Sequence, residues 1–206
     1  MEIMSGIIFA LSVFFCIPAT GAKSLPVNRP IPIMQAKSSQ SDFICKSMTL
    51  IKSEQPALSD AETYEIARTI KTVGEEFTCI DPLLLLALQK VESDFKSTAT
   101  GARGERGINQ IHPVTARELC AKLGWKYHPR LLHDINQSTF LAGLYLDYLY
   151  KKYGSVEAML VGYSCGPLYA LRFVRNDFAA IPHKGLDYVN EVLETYVRYQ
   201  DQINNV

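Results

Sequence analysis

The 206-residue sequence lacks an excess of either charge, with 21 Lys and Arg against 21 Asp and Glu. A nucleic-acid partner normally calls for a basic surface, so none is expected. Metal-ligand spacing is also missing. His112, His128 and His133 lie near Cys120 in the chain, but no C-x-x-C or H-E-x-x-H accompanies them, so neither zinc nor any other cofactor is expected. There is no internal repeat, no heptad run and no convincing long strand, which excludes solenoids, coiled coils and mainly-β architectures. What remains, at 48% hydrophobic and 20% charged residues, is ordinary globular composition.

Long apolar runs are scarce too. The one that stands out, Ile7 to Ile17, rises only about 16 Å as a helix, half of a bilayer core. Pro18 and small residues through Ala22 follow it, so residues 1–22 read as an export signal, although no Lys or Arg precedes the run. Cleavage after Ala22 removes only Glu2 among the charges and leaves 21 − 20 = +1. Four cysteines would remain: Cys45, Cys79, Cys120 and Cys165. An even count in an oxidising compartment predicts two disulfides, with three pairings open, against the alternative of four free thiols.

Residues 23–58 begin Lys23-Ser24-Leu25-Pro26 and run through a Ser-rich stretch without a clear period, so they read as a linker or mobile arm. The folded domain is then 59–206. Ser59-Asp60-Ala61-Glu62 has the capping-box form, and Ala61, Tyr64, Ala67, Ile70 and Val73 follow at helical spacing. Asp81-Pro82 opens a second helix that should reach about Phe95; its consecutive leucines, Leu83 to Leu86, cover every side and make it the central core helix. From Thr98 to Pro113 the pattern gives way to Gly101, Gly104 and Gly107, which suits irregular chain with at most a small β-ribbon. Helices return around Phe140 to Leu149, stopping at Gly154, and from Leu186 to Ile203. The fold class is mainly α.

Glu92 requires explanation, because it shares one side of the leucine helix with Leu85 and Leu88. Desolvation and the negative end of the helix dipole both raise a carboxyl pKa there, which suits a general acid. Taken alone, a glutamate near a helix end is more often a solvated surface residue. Its context is more specific: Glu92-Ser93, then Gly104-Glu105-Arg106-Gly107-Ile108-Asn109-Gln110, then Tyr163-Ser164-Cys165-Gly166-Pro167. The glycines follow no predicted strand and open no βαβ unit, so they are not a phosphate cradle.

With these three motifs in this order, the chain resembles the soluble lytic transglycosylases, whose fold is like that of goose-type lysozyme, over roughly residues 60 to 200. That resemblance implies that Glu92 protonates the oxygen between N-acetylmuramic acid and N-acetylglucosamine. It would then take a proton from the muramoyl C6 hydroxyl as that attacks C1, leaving a 1,6-anhydro end. Ser93, Asn109, Gln110, Tyr163 and Tyr188 are the implied groove residues, with Tyr163 near the acid. Three departures stand out: Asn109 replaces a usual Met, Ser164 a usual Asn, and Lys184-Gly185-Leu186-Asp187-Tyr188-Val189 an E-T-x-x-Y-V. The Asn109 amide could hydrogen-bond sugar. The implied partner is peptidoglycan in the periplasm or cell wall, with service to an envelope-spanning secretion, conjugation or phage-entry apparatus. Two rivals stay open. One is a hydrolytic muramidase in which Glu105 activates water; the other is a catalytically silent peptidoglycan-binding module.

Overall fold

The structure, a computed structural model, describes residues 40–204, so the expected export signal and residues 23–39 lie outside the described part. Eight helices make up the described chain: α1 (Gln40–Glu54), α2 (Asp60–Glu76), α3 (Pro82–Ser93), α4 (Pro113–Leu123), α5 (Ile135–Tyr153), α6 (Val156–Cys165), α7 (Pro167–Val174) and α8 (His183–Asn204). Short 3-10 turns at Pro129–His133 and Phe178–Ala180 complete it. None of the described helices is long and apolar enough to cross a membrane.

α3 is the core, and its ends are set by local chemistry. The Asp81 carboxylate accepts from the Leu83 N–H at 2.7 Å, capping the first turn, and Pro82 has no N–H to leave unpaired. The second Asp81 oxygen accepts from the Tyr196 hydroxyl at 2.6 Å, which fixes the helix start to α8. Leu83 through Gln89 are all buried, packed by α2 and α8. Around this core α6 lies on α5, α7 and α8. The capping box at Ser59 and the Gly154 C-cap of α5 form as their sequences predict.

At its other end α3 stops at Ser93, two residues earlier than the spacing suggests. Asp94 and Phe95 both take left-handed backbone, with φ of 54° and 61°. Non-glycine residues adopt this region at a cost of roughly 1 kcal/mol or more each, so the turn must be held from outside. Phe95 is buried, and Asp94 is bonded by Lys90 and Gln55. This abrupt turn sends the chain directly into the glycine-rich segment. There Arg106 bridges Thr100 on one side and Ile111 on the other, which is the whole of the β-ribbon.

Two expectations are corrected. The linker reading of 23–58 fails from Gln40 onward, because α1 occupies Gln40–Glu54 and packs on α2 and α8 with Ser47, Leu50 and Ile51 buried. The end of α1 also holds the end of α3: Glu54 pairs with Lys90 at 2.9 Å and with Arg198 of α8, while Gln55 donates to Asp94. The packed unit therefore includes residues 40–54 and does not begin at 59.

The two expected disulfides are absent, since Cys45, Cys79, Cys120 and Cys165 are all free. Cys79 donates to the Asp147 carboxylate at 2.9 Å, and burial together with that acceptor pushes its thiol up to about 11. A thiol held that far above neutrality is a poor nucleophile for forming a disulfide. Denatured protein spanning residues 23–206 should accordingly yield four titratable thiols without reductant. None would restore the paired reading, and two would mean a single disulfide.

Candidate active site

The last turn of α3, the glycine-rich ribbon, the end of α6 and the first turns of α8 enclose a groove of about 490 Å³. Glu92, Glu105, Gln110, Tyr145, Tyr163 and Tyr188 line it. Glu92 accepts a 2.6 Å hydrogen bond on Oε1 from the Tyr188 hydroxyl. Its pKa is raised from the ordinary 4.5 to about 7. Burial is the main cause; the negative charges of Glu105 and Glu191 add to it, while the Tyr188 bond and the Arg103 charge oppose it. Near neutrality this carboxyl is therefore divided between acid and base forms, as a group that gives and then retrieves a proton requires.

Glu105, the second carboxylate of the groove, is in the opposite condition. Oε2 accepts from the Arg103 backbone N–H at 3.0 Å and Oε1 from the Arg103 Nε at 2.8 Å. Burial raises its pKa, but backbone hydrogen bonds and the Arg103 guanidinium outweigh it and leave the carboxyl below its ordinary value. Both oxygens are thus engaged and the group stays ionised, so it is a weak acceptor for a proton from water. Arg103 is a groove residue that sequence reasoning passed over; its position within the glycine-rich stretch, two before Glu105, was the available signal. Tyr145, within the helix that the spacing predicts around Phe140 to Leu149, is a second such residue.

The remaining sequence-predicted residues divide. Gln110 lines the groove, its amide donating to the Gly107 carbonyl at 2.7 Å. Tyr163 lines it as well, but its hydroxyl donates to the Asn109 carbonyl at 2.7 Å, so the tyrosine bonded to the acid is Tyr188. Ser93 is not at the groove surface. Its hydroxyl donates to the Ile108 carbonyl at 2.8 Å and ties the end of α3 to the ribbon.

Asn109 corrects the sequence reading most, because its side chain is fully buried and cannot meet sugar. Its Oδ1 accepts from Gln89 Nε2 at 3.0 Å, and its Nδ2 donates to Ser138 and Thr139 hydroxyls at 3.1 and 3.2 Å. Gln89 Nε2 also donates to Thr139 at 3.1 Å. Gln89, one turn before the acid, is buried among leucines and needs these partners. The polar residue in place of Met therefore answers a polar residue in the core helix. Asn109→Met and Gln89→Leu should each lower stability by roughly 1–3 kcal/mol by removing a buried partner of the other amide, and the double variant should lose less than the sum of the two. Additive losses in thermal melts would show that the pair is not coupled.

A helical domain wrapped around one protonatable glutamate in an open groove belongs to the lysozyme-like class. Within that class, the family described as the transglycosylase SLT domain matches residues 73–184, and the chain belongs to it. No curated protein matches the sequence significantly. Among solved structures, the chain is similar to the 70 kDa soluble lytic transglycosylase of Escherichia coli, at 19% identity and a TM-score of 0.59. That match covers 81% of this chain and 31% of the other. It is similar too to an inactive mutant of the lytic transglycosylase Slt from Pseudomonas aeruginosa, at 19% identity and a TM-score of 0.58, covering 78% and 30%. The 70 kDa enzyme complexed with bulgecin A gives 18% identity and a TM-score of 0.57, covering 81% and 31%. The chain thus spans about a third of the length of these proteins and shares their fold.

Proposed function

We propose that this protein is a peptidoglycan lytic transglycosylase that cleaves the bond between N-acetylmuramic acid and N-acetylglucosamine with Glu92 as acid and then base. The observation that carries the reading is the Glu92 carboxyl, raised to about 7 and held by Tyr188 in a groove whose other carboxylate is engaged by Arg103. Protonated Glu92 donates to the bridging oxygen as the C1–O bond breaks. The resulting carboxylate then accepts the proton of the muramoyl C6 hydroxyl as that oxygen bonds to C1. One proton is returned for the one given, no water is consumed, and a 1,6-anhydro end is left.

Such an enzyme works on the wall, so export and a periplasmic or wall-associated location go with the reading. So does local opening of the wall for an envelope-spanning apparatus, which rests on the sequence resemblance alone.

Glu105→Gln separates this scheme from hydrolysis. Mass spectrometry of the muropeptides released from sacculi should find anhydro ends from both proteins, with the variant within about threefold of the parent rate. If Glu105 activated water, its loss would cost ~10²–10⁴-fold and the parent's products would be hydrated reducing ends. That result would replace the scheme with a muramidase.

A further inference from the structure

Most lysines of the described chain are matched by acids. Lys46, Lys52, Lys71, Lys90, Lys96 and Lys151 each have a carboxylate within 4 Å. Among the described residues, Lys122, Lys126, Lys152 and Lys184 have none. Lys184 lines the groove itself. Lys122 and Lys152 are exposed residues on different helices, the last turns of α4 and α5, yet they converge on one half-buried ring. The Lys122 ammonium lies 4.9 Å from the centre of the Tyr148 ring and the Lys152 ammonium 5.3 Å from it. Lys152 also donates to the Tyr148 hydroxyl at 2.9 Å and sits 5.4 Å from the Tyr153 ring. Glu118, one turn before Lys122, makes no ion pair with it.

Two ammonium groups drawn to one ring repel each other, and the face of a tyrosine offsets only part of that repulsion. An anion arriving at the ring relieves it. The position of the pair says which anion would arrive. Tyr148 stacks on Tyr145 at 6.4 Å with the rings 12° apart, and Tyr145 meets Tyr163 at 5.7 Å. Tyr145 and Tyr163 are walls of the groove, so an unbroken row of rings leads from beside Glu92 to the two lysines. Its length is about that of three or four extended residues of peptide. Tyr153 returns the far end to the groove rim, since its hydroxyl donates to the carbonyl of Pro167, a lining residue.

We infer that Lys122 and Lys152, presented on Tyr148, form a carboxylate subsite that receives the acidic peptide stem of the glycan strand bound in the groove. This inference rests on the transglycosylase reading for the identity of the strand. The rings offer an apolar track for the stem's small side chains and the lysines bind its acidic end. The enzyme would therefore prefer strands that still carry their peptides.

The test compares the full protein with its Lys122→Gln/Lys152→Gln double variant on two substrates. One is purified glycan strands with stems; the other is the same strands stripped of stems by an amidase. On stem-bearing strands the variant should show a KM raised about five- to tenfold with kcat within twofold, the sum of two exposed ion pairs. On stripped strands, which keep only the lactyl carboxylate on the sugar, parent and variant should agree. An equal loss on both substrates, or no loss on stem-bearing strands, overturns the subsite. If the parent cleaves neither substrate, the transglycosylase reading fails by itself. Calorimetric binding of the two strands to parent and variant then gives the same comparison without turnover.

Discussion

Glu92→Gln should leave a folded protein without measurable cleavage of glycan strands, and above about pH 7 that protein should be more stable than its parent. The amide keeps the shape of the side chain and its oxygen can still accept from Tyr188, but it has no proton to give. Loss of a positioned general acid is worth ~10²–10⁴-fold in rate, and here the same group is also the base. The stability gain follows from linkage. The folded pKa lies at about 7 and the ordinary value at 4.5, so the folded state binds this proton more tightly than the unfolded state. Below pH 4.5 both states are protonated and the group is neutral to stability. As pH rises from 4.5 to 7 the unfolded chain ionises while the folded one resists, and above 7 the full penalty is present. At 1.36 kcal/mol per unit it amounts to about 3 kcal/mol.

Glutamine never ionises, so the variant escapes that penalty. For a chain of this size the gain corresponds to a melting temperature about 6–12 °C above the parent at pH 8, and close to the parent at pH 4. The parent's own activity should decline as pH passes about 7, where the acid form is lost. Wild-type turnover by the folded variant would remove Glu92 from the mechanism. An equal gain at pH 4 and pH 8 would instead trace the stabilisation to packing.

What the sequence made legible was whatever depends on neighbours along the chain. The Ser59 box, the Asp81-Pro82 start, the Gly154 stop and the side of α3 that carries Glu92 all follow from spacing and capping, and all are present. α1 went unread, although Ile44, Ser47, Met48 and Ile51 recur at helical spacing, because the Ser-rich residues before it carry no cap signal that stands out. Its helix is held by contacts distant in sequence: Glu54 to Lys90 and Arg198, Gln55 to Asp94. The site divided in the same way. Glu92 was found from its own helix, whereas the burial of Asn109 depends on Gln89, Ser138 and Thr139, twenty or more residues away. Which tyrosine reaches the acid depends on how α6 and α8 meet α3, and periodicity within either helix cannot decide it.

The ribbon that carries Glu105, Asn109 and Gln110 rests on Gly107, and Gly107→Ala should be the most damaging single change to the fold among its glycines. Gly107 has φ of +74°, which costs an L-residue about 1–2 kcal/mol. A Cβ there would also stand 1.6 Å from the Leu132 carbonyl oxygen and 2.7 Å from its carbon. These are backbone atoms of a buried residue just before α5, so no side chain can turn aside, and such overpacking adds ~1–3 kcal/mol or more. Relief requires the ribbon to lift. That would strain the Gly107 N–H bond to the Ala99 carbonyl and the Gln110 bond back to Gly107, and would withdraw Asn109 from Gln89. The expected result is a melting temperature lower by about 6–12 °C, with glycan cleavage lost even where the protein stays folded. Gly104→Ala is the control. Gly104 has a similar φ of +88° but nothing within 4 Å of the added carbon, so only the conformational cost applies and the melt should fall by about half as much or less. If both variants melt alike, the close approach of Gly107 to Leu132 is not what holds the ribbon over the groove. If Gly107→Ala alone collapses, the glycine is present because the wall of the groove must pass within one atom's width of the backbone beneath it.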